Sequence, residues 1–123
     1  MTASLYFLAQ GSLGLLWWAV VLAWPATRSA FLPPTLTGAA LFALLVPDLL
    51  VFVGGSLATG ALAARRHGLA RPAAFVTLGG TSYATLYSTT ATLYGGGGWW
   101  GPAFMVAATL GTVWATGRAG RDP

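Results

Sequence analysis

Apolar residues gather along this chain into four long blocks, broken by short segments of proline, arginine or glycine. The first covers about 5–24 and stops at Pro25, and the second covers about 36–64 and stops at Arg65-Arg66. The third covers about 72–94 and runs into the glycines at 95–98; the fourth covers about 99–116, ahead of a tail at 117–123. A helix rises 1.5 Å per residue, so about 20 residues cross a hydrocarbon core of roughly 30 Å. The first and third blocks match that length, the second exceeds an upright span, and the fourth is short for one. The pattern predicts an all-α integral membrane four-helix bundle. It would form a single transmembrane domain over 1–123, with 117–123 as a short cytoplasmic tail.

Composition supports a lipid solvent. The chain has 123 residues, of which 56% are hydrophobic and only 7% charged. A water-facing domain carries about 25% charged residues. The net charge of +4 comes from arginines without lysine. That charge is too sparse for a nucleic-acid groove, which needs a basic stripe. Cationic loops beside anionic headgroups account for it better, so Arg65, Arg66 and Arg71 are assigned to lipid headgroups. There is no cysteine, which excludes disulfides and thiolate ligands. The Ala, Gly, Leu and Arg bias points to a GC-rich bacterial genome, hence a multi-pass protein of the inner (cytoplasmic) membrane.

Orientation follows from the same arginines. Arg65, Arg66 and Arg71 join the second and third blocks, Arg118 and Arg121 lie in or near the tail, and only Arg28 falls on the other side. The positive-inside rule then places both termini in the cytoplasm. Trp24, Tyr94, Trp99 and Trp100 fall at the predicted outer interface, with Trp114 near the inner one. The first block lacks a basic n-region, and "ATRSA" is a poor cleavage site, so a retained first helix is expected rather than a signal peptide.

Lipid gives helices no hydrophobic drive to associate, so small residues that admit close backbone approach mark contact faces. Gly54 and Ala58 in the second helix, and Ala103, Ala107, Gly111 and Ala115 in the fourth, are assigned to helix packing or an oligomer interface. The third helix aligns Thr77, Thr81, Thr85 and Thr89, with Ser88 in the adjacent row and Tyr83 and Tyr87 opposite. A helical Ser or Thr hydroxyl can bond back to an earlier carbonyl. The row therefore reads either as a self-satisfied packing face or as a polar cavity lining.

The run "LLVPDLLVF" at 44–52 places Asp48 in one of the most apolar stretches. Two geometries fit it. In the favoured one, 36–64 form a single helix kinked at Pro47, with Asp48 near the bilayer midplane. A carboxylate there costs about 2.5–3.5 kcal/mol on insertion scales and normally finds partners inside the bundle. On an α-helix, Gly55, Ser56 and Thr59 share its face, and hydroxyls of the third helix, including Tyr83 and Tyr87, are the expected donors. In the alternative, the span begins at Pro47, Asp48 reaches toward Arg28 at the outer interface, and 36–46 form a re-entrant segment.

These choices give a polar candidate set of Asp48, Ser56, Thr59, Thr81, Tyr83, Thr85, Tyr87 and Ser88. The lone His67 lies in an arginine-rich loop, so no metal site, haem or Ser-His-Asp constellation is expected, and no cofactor. No phosphate-binding motif is present. With abundant packing motifs and little chemistry, the first functional expectation is a non-catalytic accessory or assembly subunit of a larger bacterial membrane complex. Its partners would be membrane lipids and either a membrane protein or further copies of the chain. The alternatives are a binder or transporter of a small or lipidic molecule using Asp48, and a membrane enzyme acting on a lipid or isoprenoid.

Overall fold

A computed structural model of the chain describes residues 1–119. Arg121 and Asp122 of the predicted tail lie outside the described residues. Among those residues the chain is all-helical, with no strand. We number the helices α1 (Ala3–Ala23), α2 (Arg28–Phe31), α3 (Ala39–Ala64), α4 (Ala70–Gly95) and α5 (Trp100–Arg118).

Local chemistry sets the boundaries. Thr2 caps α1, its Oγ1 accepting from the Leu5 backbone N–H at 3.2 Å. Pro25 cannot continue that helix. Arg28 folds back instead, its Nε donating to the Val21 carbonyl at 2.9 Å, and so covers a carbonyl of the last turn. Gly38, at φ 52°, turns the chain just before α3, so the helix starts at Ala39 rather than at 36. Gly96, Gly97 and Gly98 all take positive φ, a conformation side chains resist. A Cβ at Gly98 would also strike the Leu32 backbone. The glycine run is therefore a turn in close contact with the Leu32 backbone.

α3 passes through Pro47 without interruption, so 36–46 are not a separate re-entrant segment. Instead of a simple kink, the chain forms a π-helical segment at Asp48–Gly54. Proline supplies no N–H to the residue four positions earlier and crowds that carbonyl. The widened turn that follows absorbs the mismatch. Each π turn takes in one residue more than an α turn, so side chains beyond it lag around the helix axis. Gly55 and Thr59, which an α-helical wheel aligns with Asp48, turn toward α4, where Thr59 Oγ1 lies 3.0 Å from Thr77 Oγ1. Ser56 moves instead onto the side facing α1.

The four long helices pack in sequence, α1 on α3, α3 on α4 and α4 on α5, with a lighter contact closing α5 onto α1. The α1–α3 seam is built on glycine. A Cβ at Gly60 would lie 2.9 Å from the Leu8 backbone nitrogen, and one at Gly11 would lie 3.1 Å from that of Leu57. At one end, Ala3, Phe7, Ala74, Ala115 and Ala119 form a small core, next to the loop carrying Arg65, Arg66 and His67. At the other, Trp18, Val21, Leu32, Leu36 and Phe52 form a second core under α2.

The surface reverses the usual distribution. Large apolar side chains point outward on every long helix: Leu13 and Leu16 on α1, Leu50 on α3, Val76 and Leu86 on α4, and Leu110 on α5. Faces of this kind are covered by something other than water in stable proteins. Two helices, α1 and α3, are long and apolar enough to cross a membrane.

Candidate functional site

A groove of about 540 Å³ runs along the molecule between α1 on one side and α4 and α5 on the other, with α3 beneath it. Phe31, Leu32 and Pro33 close one end. Its walls are mostly apolar, and Asp48 is the carboxylic acid among them.

Asp48 is held from α1. The Trp18 indole Nε1 donates to its Oδ2 at 2.5 Å, and this is the side-chain hydrogen bond that Asp48 makes among the described residues. The expected donors on the third long helix are not its partners, because Asp48 projects to the α1 side of α3. Arg28 does not reach it either, since its guanidinium is bound to the end of α1.

A second polar node sits farther along α1. Gln10 Nε2 donates to Ser56 Oγ at 2.9 Å. Its Oε1 lies 2.5 Å from the Tyr6 hydroxyl and 3.0 Å from Thr112 Oγ1, either of which donates to it. Both hydroxyls also reach the Ala108 carbonyl, at 2.8 and 2.7 Å. One amide thus joins α1, α3 and α5.

The hydroxyl row of α4 serves packing more than the groove. Thr77, Thr81 and Thr85 donate back to the carbonyls of Ala73, Thr77 and Thr81, at 3.0, 2.7 and 2.9 Å. Thr85 also meets Thr109 Oγ1 of α5 at 2.7 Å. Such hydroxyls satisfy themselves without water. Ser88 donates to the Thr85 carbonyl at 3.1 Å while lining the groove. Thr92 is different: it is fully buried at the groove wall, and its Oγ1 has no hydrogen-bond partner among the described residues.

Of the polar residues chosen from sequence, the groove collects Asp48, Tyr87 and Ser88. Ser56 is buried against Gln10, whereas Thr59, Thr81 and Thr85 lie at helix seams. Tyr83 is 70% exposed and stacks on Tyr87, away from Asp48. Sequence reasoning passed over Trp18, Gln10, Tyr6 and Thr112. Gln10 carried a signal, as the one side-chain amide in the chain and set within an apolar block.

The small residues divide as well. Ala115 is buried, and Gly111 lies under the Tyr6 ring. Ala58, Ala103 and Ala107 are exposed, and Gly54 sits at the end of the π segment. Arg65, Arg66 and Arg71 are exposed at the end of the molecule that holds the start of α1. Set against protein-family models, curated proteins and solved structures, the chain gives no match.

Proposed function

We propose that this chain is a bacterial inner-membrane protein that crosses the bilayer with α1, α3, α4 and α5 and binds a small apolar or amphipathic molecule in its groove. The observation that carries the reading is the groove itself. Ligand sites are typically concavities of about 300–1,000 Å³, mainly apolar, with a few placed polar groups. A volume of about 540 Å³ with Asp48, Gln10, Tyr6 and Ser88 on its walls fits that description.

Helices α4 and α5, of 26 and 19 residues, are long enough to span. Their composition is less apolar because of threonine, serine and glycine, but much of that polarity is spent inside the helices. Hydroxyls bonded to their own carbonyls present little to lipid. Arg65, Arg66, Arg71 and Arg118 share one end with the start of α1, which supports a cytoplasmic location for that end.

One observation favours a role as an assembly subunit. Ala103 and Ala107 leave a shallow, exposed face on α5, flanked by Phe104 and Val106, against which another helix could lie closely. Native mass spectrometry after extraction in a mild detergent separates the two. The binding reading expects a discrete small-molecule adduct that disappears in Ala84→Trp, a substitution that fills the groove. A stoichiometric protein partner with no adduct would support the subunit reading instead. An adduct that survives Ala84→Trp does not sit in this groove.

A further inference from the structure

The charge inside the groove is one-sided. Among the described residues, no lysine, arginine, histidine or glutamate lines it, and Arg28 is turned onto the end of α1. Trp18 is neutral, so its hydrogen bond stabilises the carboxylate without compensating its charge. Met1 also borders the groove, but it lies 17 residues from Trp18, roughly 25 Å along a helix. Asp48 therefore faces a low-polarity cavity with one oxygen engaged and, among the described residues, no cation beside it. A buried ionised group without a counter-charge is expensive, and a ligand that supplies the counter-charge gains accordingly.

The walls near Asp48 are aromatic. Trp18 meets Trp17 edge to face with centroids 4.7 Å apart, Trp17 meets Phe31 at 6.0 Å, and Phe31 stacks on Phe104 at 5.9 Å. All four rings border the groove, with Phe52 next to them on α3. Aromatic faces attract cations through the ring quadrupole, and strongly where water is excluded.

Resting on the binding reading above, we propose that the ligand is a lipophilic organic monocation, such as an alkylated ammonium. Asp48 supplies the counter-charge, and the ring run from Trp18 to Phe104 supplies a cation–π wall. A single carboxylate matches a single charge, and the absence of a basic lining residue disfavours anions.

The test uses tetraphenylphosphonium, its anionic shape-mate tetraphenylborate, and neutral triphenylmethanol, with the full chain in lipid nanodiscs and empty nanodiscs as the partition control. Equilibrium dialysis should show saturable binding of the phosphonium, weakened by roughly tenfold or more in Asp48→Asn and restored in Asp48→Glu. Asparagine keeps an oxygen acceptor for Trp18, so the variant is expected to fold, and Trp17→Leu provides a second test that leaves Asp48 untouched. Phosphonium binding unchanged in Asp48→Asn, or equal binding of the borate, overturns the proposal. Saturable triphenylmethanol binding without phosphonium binding removes the cation preference and leaves the groove as a site. Binding of no probe removes both.

Discussion

Gln10 and Ser56 meet through a 2.9 Å hydrogen bond between two helices, both side chains buried, and the far side of the same amide accepts from Thr112. Removing Gln10 takes away the partner of Ser56, while Thr112 keeps its bond to the Ala108 carbonyl. In a double-mutant cycle of Gln10→Leu and Ser56→Ala, the expected coupling is about 0.6–1.7 kcal/mol, the range seen for hydrogen bonds between membrane helices. Reversible unfolding in mixed micelles measures it. A coupling indistinguishable from zero would mean that the bond adds no net stability.

The Trp18–Asp48 pair predicts an order among substitutions. Asp48→Asn preserves an acceptor for the indole N–H and should unfold close to wild type. Asp48→Leu leaves that N–H buried and unpaired, which costs about 1–3 kcal/mol. The midpoint of thermal unfolding should therefore fall in the order wild type, Asp48→Asn, Asp48→Leu. Equal midpoints for the two variants would show that the hydrogen bond is energetically idle.

Glycines differ in what surrounds them. At Gly60 an added methyl group meets the Leu8 backbone, so Gly60→Ala must push α1 away from α3. Gly79 has open space around its Cβ position, and alanine there removes the conformational penalty of glycine in a helix, about 0.5–1 kcal/mol. Gly60→Ala should destabilise and Gly79→Ala should be neutral or stabilising, read in the same micelle assay. A neutral Gly60→Ala would contradict the close seam.

Two threonines should respond with opposite sign. Thr92→Val removes a buried hydroxyl that has no partner among the described residues, and stability should rise by about 1 kcal/mol. Thr77→Val takes away the partner of Thr59, which is itself fully buried, and stability should fall by a similar amount. Loss of stability in Thr92→Val would indicate that its hydroxyl is engaged when the protein sits in its own solvent.

Sidedness is testable because the chain contains no cysteine. Single variants Gly68→Cys and Ser29→Cys place thiols at opposite ends of the molecule, both at exposed positions. In intact cells a membrane-impermeant maleimide should label Ser29→Cys and leave Gly68→Cys unmodified. The reverse pattern would invert the proposed orientation, and labelling of both would exclude it.

Each apolar block of the sequence contains one long helix, because length and apolarity are local properties. The groove was harder to foresee. Its acid stands out by isolation, yet the partner of that acid depends on where α1 lies, and no local pattern encodes that. The helical wheel misplaced Thr59 because the π segment shifts the angular phase of everything after Gly54. Thr77, Thr81 and Thr85 looked equally suited to lining a cavity or to satisfying themselves, and only their carbonyl partners decide between the two. Gln10 was legible by the same logic as Asp48, since a lone amide in an apolar helix also needs partners.

The contacts that close α1 against α5 also bear on the order of assembly. Tyr6 and Ala108 are 102 positions apart, whereas residues 65–69 alone join α3 to α4 and residues 96–99 join α4 to α5. Pairs of helices linked by short loops lose little chain entropy when they dock, and contacts across the whole chain lose the most. The α4–α5 hairpin should therefore form early, and the return of α5 to Tyr6 and Gln10 late. The groove comes into being only at that last step, so a molecule that fills it would act as a clasp on the finished fold.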